Sequence, residues 1–200
     1  MRIAPVGLIC YYNQNQAFTL GAELAAITHT HPSGYLSAGA LASIIALLNN
    51  GKSLSAAIDQ TKQTLITWDD HQETLSAIDK ALNLFENTKP TYENVEKVGR
   101  GWIAEEALSI SLYCALHYEH DFESAINLAI NHGGDSDSTG SITGNIVGLI
   151  NGEGSIPKSW IENLQMEDII RQIAIDLYTE MKGDGHSVYD KEWDEKYPGY

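Results

Sequence analysis

A run of ten residues in the second half of the chain holds the side chains best suited to chemistry. Residues 131–140 read NHGGDSDSTG, with Asp135 and Asp137 two positions apart, hydroxyl residues directly after them and a glycine pair before them. Carboxylate and hydroxyl oxygens are ligands that select hard cations such as Mg²⁺, Mn²⁺ or Ca²⁺. Gly133 and Gly134 would let the backbone approach a ligand closely. The run is therefore a candidate hard-cation site.

Spacing alone leaves other interpretations of this run open. Asp135, Asp137 or Ser138 could act only as the N-cap of the helix that follows. The run also matches the first ligand positions of an EF-hand calcium loop, but Ile146 stands where that loop requires a bidentate Glu. The calcium-loop interpretation fails on this ligand, and helix capping and a metal site remain as alternatives.

Glycine recurs at every fourth position after the run, at Gly140, Gly144, Gly148 and Gly152. Each glycine inside a helix costs about 0.8–1 kcal/mol relative to alanine, so a row of them needs a physical reason. The row predicts the close approach of another helix or of a ligand. Packing alone is the alternative, and it is favoured more for Gly148 than for Gly140.

The segments that must position these residues show helical periodicity nearly throughout. Apolar spacing predicts helices over 18–27, 36–48, 54–65, 125–130, 138–150 and 167–181. It also predicts a helix from about 71 that 89–90 end, and a helical segment opened by 99–101 whose apolar face lies over 107–116. Alternating runs of β-branched residues are absent from the sequence, so it predicts an all-α fold, a compact bundle of many short helices. We expect residues 1–182 to form this helical domain. Residues 183–200 lack periodicity and predict an irregular tail packed on or near it.

Composition narrows the classes of function. The 200 residues carry 12 Lys and Arg against 27 Asp and Glu, a formal charge of −15, which argues against binding to nucleic acid or to an anionic membrane. The sequence has no uninterrupted apolar span of the ~20 residues that a bilayer crossing needs. Cys10 and Cys114 are the only cysteines and lie in apolar contexts, which predicts reduced core thiols and a cytoplasmic protein.

Four stretches resemble motifs of the ADP-ribosylglycohydrolase family, the dinitrogenase-reductase-activating and ADP-ribosyl-acceptor hydrolases. Residues 133–140, GGDSDSTG, are similar to its G-G-D-T-D-T-x-G run, with serines where threonines are usual. Residues 1–7, MRIAPVG, resemble its N-G-x-x-M-R-x-x-P-x-G motif, and residues 28–32, THTHP, its T-H-x-x-P motif. Residues 99–108, GRGWIAEEAL, resemble the segment before its last metal ligands. The motifs stand in the family's order, which makes the resemblance specific.

The resemblance implies an all-α fold that holds two Mg²⁺ or Mn²⁺ ions. It implies cleavage of the bond between the anomeric carbon of ADP-ribose and an acceptor, so the expected partner is ADP-ribose or an ADP-ribosylated substrate. Carried over by position, Asp135, Asp137 and Ser138 are expected to be metal ligands. His29 is expected to contact the bound ADP-ribose, with Trp102 near it on the next wall of the cleft. Bound cations would also reconcile an acidic chain with an anionic diphosphate.

One part of the family pattern has no counterpart in this sequence. A T-D-D-T-like metal motif and an acidic residue precede the M-R stretch in the family. The one similar pair here, Asp69 and Asp70, comes too late and predicts a helix N-terminus. We therefore expect the C-terminal two-thirds of the family's domain without its N-terminal part, and a metal site that is at most partly formed.

The missing motif also shapes the functional expectation. The isolated chain is expected to be incomplete for hydrolysis. The alternatives are a protein that binds ADP-ribose without turnover and a structural remnant of the family. Apolar surface left uncovered by a missing segment would favour a homodimer.

Overall fold

The computed structural model describes residues 1–182 and 191–198, and all regular elements in these ranges are helical. The predicted all-α fold is confirmed. The helices are α1 (Ala4–Ile9), α2 (Gln14–Ala26), α3 (Pro32–Asn49), α4 (Leu54–Leu65), α5 (Gln72–Asn87), α6 (Tyr92–Val98), α7 (Ala104–His117), α8 (Phe122–Ile130), α9 (Ser136–Asn151), α10 (Lys158–Glu162), α11 (Glu167–Lys182) and α12 (Lys191–Lys196), with a 3-10 turn at Glu153–Ser155.

The chain divides into two compact units between Pro157 and Lys158. This division lies before residue 182, where the sequence predicts the helical domain to end. Part of the segment predicted to be irregular forms α12, whose six residues are too few for an apolar period to be recognised. The tail residue Tyr197 donates a hydrogen bond of 2.6 Å to Asp176 of α11. Residues 183–190 and 199–200, which also belong to the predicted irregular tail, lie outside the described residues.

Helix α3 lies at the centre of the first unit and packs on α1, α2, α4, α5, α7 and α9. Small residues allow the close approach of α2: a Cβ on Gly39 would lie 2.8 Å from the Phe18 carbonyl oxygen, and one on Gly21 would lie 2.8 Å from Ala42 Cβ. By length and mean hydropathy (1.2) α3 could cross a membrane, but 72% of it is buried inside the protein. Such burial is typical of the core helix of a globular unit.

Helix α7 is the second buried helix and packs against α3, α5, α6, α8 and α9. The Ser111 hydroxyl on α7 lies 2.8 Å from the Ala107 carbonyl oxygen and 3.1 Å from that of Thr139 on α9, and it can donate to both. Cys10 and Cys114 are buried free thiols, as the sequence predicts. Burial raises the pKa of Cys114 well above its ordinary value, so this thiol is inert.

The glycine row of α9 faces α8 along its length. Cβ atoms built on the first three glycines would lie 2.6 Å, 3.5 Å and 3.6 Å from side-chain atoms of Ile130, Ile126 and Phe122 respectively; these glycines are Gly140, Gly144 and Gly148. The row therefore serves the approach of a neighbouring helix. Replacement is tightest at Gly140, where a Cβ would overlap the Ile130 side chain.

Two short helices of the first unit were not predicted. Helix α1 occupies Ala4–Ile9, with Pro5 in its first turn. Helix α6 occupies part of what the sequence suggests is a polar connection, and the hydroxyl of its N-cap residue Thr91 accepts a hydrogen bond from the Asn94 N–H. Both helices have seven residues or fewer, so one apolar face is too short to show a period.

Candidate functional site

A cleft of about 980 Å³ in the first unit brings together residues from all four family-like motifs. Helices α3 and α7 supply its floor, where apolar residues such as Leu41 and Leu108 lie. Of the residues predicted to act at the site, those that line the cleft are His29, Trp102, Asp135 and Ser138. Asp137 is exposed and does not line the cleft. Elements distant in the sequence therefore place four of the five predicted side chains around one space.

The turn before α9 is held against the loop before α7. The backbone N–H of Asp135 donates a hydrogen bond of 2.8 Å to the Arg100 carbonyl oxygen. A Cβ on Gly134 would overlap that same carbonyl group. Gly134 therefore permits the close contact of two loops, rather than the approach of a ligand that the sequence suggested.

A buried hydrogen-bond chain fixes the shape of the turn. The Gly134 N–H donates to His132 Nδ1 (3.1 Å), so the proton of the neutral imidazole is on Nε2. His132 Nε2 in turn lies 3.0 Å from the Thr139 hydroxyl, which donates 2.7 Å to the Ala129 carbonyl oxygen. Burial lowers the pKa of His132, which agrees with a neutral ring. The chain connects the end of α8 to the first turn of α9.

The two predicted carboxylate ligands lie next to each other at the start of α9. Asp135 occupies the N-cap position, but its side chain makes no capping hydrogen bond; its Oδ2 accepts one of 2.8 Å from the Ser138 hydroxyl. The pKa of Asp135 is lowered, chiefly by a hydrogen bond with the Asp137 carboxyl and then by Ser138, against the opposing effect of burial. The carboxyl group of Asp135 is thus engaged by Asp137 and Ser138.

The Glu106 side chain holds the loop that carries Trp102 through hydrogen bonds to the loop backbone. Glu106 Oε2 accepts hydrogen bonds from the Arg100 N–H (3.0 Å) and the Gly101 N–H (3.1 Å). Gly101 has a φ of +77°, a conformation that favours glycine. Trp102 is 69% exposed at the cleft. The sequence explains Glu106 only as a carboxylate suited to a helix N-terminus, and its role in holding the loop emerges from the fold.

The first two motifs also meet at the cleft. The Thr28 hydroxyl lies 2.8 Å from His29 Nδ1 and accepts a hydrogen bond of 2.9 Å from Arg2 Nη2. His31 Nδ1 lies 3.0 Å from the Ser33 hydroxyl. His29 is exposed and lines the cleft, with Nδ1 engaged by its neighbour and Nε2 without a hydrogen-bond partner in the described residues.

The donors at the start of α9 suit a hard cation. Within residues 1–182 and 191–198, no group of three or more His, Cys, Asp or Glu side chains surrounds a point that could hold a metal ion. Mg²⁺ is nevertheless often bound through one or two carboxylates, with water and ligand oxygens completing its shell. Asp135 and Asp137, with the Ser138 hydroxyl beside them, fit one such cation.

Two polar residues of the cleft floor were not predicted as site residues. Ser37 lies on α3, where the sequence shows only an apolar run, and Glu105 lies in the first turn of α7. Both line the cleft and both are buried. The proximity of Glu105 to Trp102 in the sequence is the one signal that could have singled it out.

Comparisons with known proteins agree with the motifs. The model of the ADP-ribosylglycohydrolase family matches residues 1–187. An uncharacterized protein of Archaeoglobus fulgidus is 27% identical over 179 residues, which cover 89% of this chain and 56% of that protein. ADP-ribosylarginine hydrolase Tri1 of Serratia proteamaculans is 25% identical over 178 residues, which cover 89% of this chain and 45% of that enzyme. The chain thus spans about half the length of these relatives, and it belongs to the ADP-ribosylglycohydrolase family.

Proposed function

We propose that this chain takes part in the hydrolysis of an ADP-ribosyl glycosidic bond, assisted by Mg²⁺ or Mn²⁺. The observation that supports the proposal best is that Asp135, Trp102 and His29 line one cleft, with the Asp137 carboxyl group beside that of Asp135. Family membership supplies the reaction class, and the cleft supplies donors for a cation and surfaces for a nucleotide.

The carboxyl pair supports the cation part of the proposal. The carboxyl groups of Asp135 and Asp137 lie close enough to interact, and two ionised carboxylates so close to each other repel. A hard divalent cation bound between them would offset that repulsion and bind both carboxylates. When bound, the cation would orient ribose hydroxyls and a water molecule and offset the charge that develops as the glycosidic bond breaks.

The charge of the cleft also supports a role for a bound cation. Glu73, Glu105 and Asp135 line it, while Arg2 is the only Lys or Arg among its lining residues in the described chain. A diphosphate would be repelled by this surface unless a cation intervened. Arg2 is already engaged with Thr28 but keeps further guanidinium donors for a phosphate oxygen.

Trp102 and His29 support the nucleotide part of the proposal. An exposed aromatic ring on a fixed loop offers a face on which a base can stack, a contact worth about 1–3 kcal/mol. The Nε2 atom of His29 is left for a ligand, because Nδ1 is paired with the Thr28 hydroxyl. Both side chains would bind and orient the ligand, with no proton transfer required of either.

A second candidate function is ADP-ribose binding without turnover. It is favoured by the metal-ligand set, because the described residues contain no group of three His, Cys, Asp or Glu side chains for a metal. One cation held by Asp135 and Asp137 could recruit a diphosphate and still lack the partners needed for bond cleavage.

One pair of measurements on the 200-residue chain decides between these functions. Release of ADP-ribose from ADP-ribosylated arginine is followed in Mg²⁺, and ADP-ribose binding is followed by calorimetry, for the wild type, Asp135→Asn and the control Asp69→Asn. Release that needs Mg²⁺ and is lost only in Asp135→Asn supports hydrolysis. Binding with that same dependence but without release supports the second function. If neither is observed, both proposals are wrong.

A further inference from the structure

Two buried polar side chains that line the cleft have no hydrogen-bond partner among the described residues. Ser37 is 3% exposed and Glu105 is 9% exposed, and both line the cleft. Neither Ser37 Oγ nor Glu105 Oε2 is paired with any group of the described residues. More than nine-tenths of buried polar groups in proteins are paired, so each of these two needs an explanation.

Their position distinguishes them from the other unpaired buried atoms. The described residues contain six such side-chain atoms; the remaining four belong to Thr74, Ser109, His117 and Thr143. None of those four residues lines the cleft. A ligand in the cleft could therefore satisfy Ser37 and Glu105, while it would leave the other four as they are.

The two helices that carry this pair pack directly on each other. On α3, Ser37 lies one turn before Leu41, and on α7, Glu105 lies about one turn before Leu108; all four residues line the cleft. Apart from Ser33, which pairs with His31, the other residues of α3 and α7 that line the cleft are apolar or glycine. A buried carboxylate oxygen without a hydrogen-bond partner is costly to the fold, and a ligand in the cleft could supply that partner.

The pair is separate from the candidate cation site. Glu105 joins no group of three His, Cys, Asp or Glu side chains in the described chain, so it is not a further ligand beside Asp135 and Asp137. Its carboxylate is therefore available to accept hydrogen bonds from an organic ligand. The Ser37 hydroxyl can both donate and accept.

We propose that Ser37 and Glu105 form a subsite for the vicinal diol of a ribose, namely the ribose of the nucleotide that lies away from the cation. One hydroxyl of the diol donates to the Glu105 carboxylate and the other exchanges a hydrogen bond with Ser37. A neutral diol enters an apolar floor at a lower desolvation cost than a guanidinium or an ammonium group. This inference rests on the proposed function, because it takes the ligand to be an ADP-ribosyl nucleotide.

The test compares ADP with its dideoxy analogue, which lacks both hydroxyls of the adenosine ribose. Binding of each to the 200-residue chain in Mg²⁺ is measured by calorimetry for the wild type, Glu105→Met, Ser37→Ala and the control Glu73→Met. Glu73 also lines the cleft, but its side chain is 63% exposed, so the control removes the same charge without a buried partner. Thermal unfolding of each variant is measured alongside.

We expect Glu105→Met to weaken ADP binding about tenfold, the loss typical of a hydrogen bond to a charged group. Binding of the dideoxy analogue should be unchanged, and the melting temperature should rise because an unpaired buried carboxylate has been removed. Ser37→Ala should weaken ADP binding less than Glu105→Met does, and it should also leave the affinity for the dideoxy analogue unchanged. Glu73→Met should change the affinities for ADP and for the dideoxy analogue by the same factor.

The inference is overturned if Glu105→Met weakens both ligands equally or weakens neither, while ADP-ribose binding still depends on Asp135. The proposed function would survive that result. The wild type could instead bind ADP-ribosylated arginine more tightly than ADP-ribose and lose this preference in Glu105→Met. That result would mean that Glu105 binds a guanidinium group and not a diol, and it would also overturn the inference. A wild type that binds neither ADP nor ADP-ribose would contradict both.

Discussion

The Asp135 N–H donates a hydrogen bond of 2.8 Å to the Arg100 carbonyl oxygen, and this bond joins the two loops that carry the candidate site. One loop presents a carboxylate and the other presents Trp102, two residues after Arg100. Because Glu106 fixes the second loop through two backbone amides, the relative placement of Asp135 and Trp102 is set by the fold before any ligand arrives. Such preorganisation lowers the entropy cost of binding.

Gly134→Ala tests how tightly these loops are joined. The added Cβ would overlap the Arg100 carbonyl group, so the loops must separate. We expect a loss of roughly 1–3 kcal/mol in the free energy of unfolding, as for overpacked sites, measured by chemical denaturation. Gly154→Ala is the control, because a Cβ there has no neighbour within 4 Å. Equal stability of the two variants would mean that the loops do not pack as described.

Two threonines on α9 give a matched pair of substitutions. Both are fully buried, but the Thr139 hydroxyl donates to the Ala129 carbonyl oxygen and pairs with His132. The Thr143 hydroxyl has no partner in the part of the chain that the structure describes. Thr139→Val should cost about 1–3 kcal/mol of unfolding free energy, because it leaves buried groups unpaired. Thr143→Val should be neutral or stabilising. Denaturant unfolding of both variants checks this, and a larger loss for Thr143→Val would contradict the hydrogen-bond assignment.

Trp102→Ala should weaken ligand binding without lowering the stability of the fold. The ring is 69% exposed, so its removal should leave the melting temperature within a degree or two of the wild type. Loss of base stacking should weaken ADP-ribose binding by about tenfold in a calorimetric titration. Tyr12→Ala, an exposed aromatic outside the cleft, should leave the affinity unchanged. An unchanged affinity for Trp102→Ala would remove Trp102 from the site.

The buried His117 side chain should make the folded state less stable as the pH falls below about 6.5. Burial lowers its pKa below the ordinary 6.5, and its ring packs edge-on against Phe85 and Tyr113. As the pH falls below about 6.5, the unfolded chain binds a proton that the folded chain resists, so the folded state loses stability until the lowered pKa is reached. His117→Phe should flatten the fall in melting temperature over this window. His120→Gln, at an exposed position, should leave the slope unchanged; a slope equal to that of the wild type in both variants would contradict the prediction.

Much of the fold was predictable because long helices repeat their apolar pattern over several turns. The central helix α3 was predicted as 36–48 and observed as Pro32–Asn49, and the glycine row correctly indicated close approach at α9. Helices α1, α6, α10 and α12 escaped detection because five to seven residues do not complete two turns of a pattern. Their formation depends on local caps and on tertiary packing.

Some residues of the candidate site were likewise predictable from the sequence, and others were not. Asp135, Ser138, His29 and Trp102 lie in short motifs that resemble those of the family, so the resemblance indicated them, and the fold brings all four to one cleft. Ser37 lies within an apolar helix, and nothing in its local sequence distinguishes it from a core serine. Its place on the cleft floor depends on the contact between α3 and α7, which sequence periodicity does not specify.

The measurement that tests the central claim most directly is Mn²⁺ binding followed by electron paramagnetic resonance. The wild-type chain should bind Mn²⁺, and Asp135→Asn and Asp137→Asn should each weaken binding at least about tenfold, because each removes a charged ligand. A double Asp69→Asn, Asp70→Asn variant, which alters the acidic pair outside the cleft, should bind like the wild type. Equal Mn²⁺ affinity in the wild type and both single variants would show that this carboxyl pair does not hold the cation.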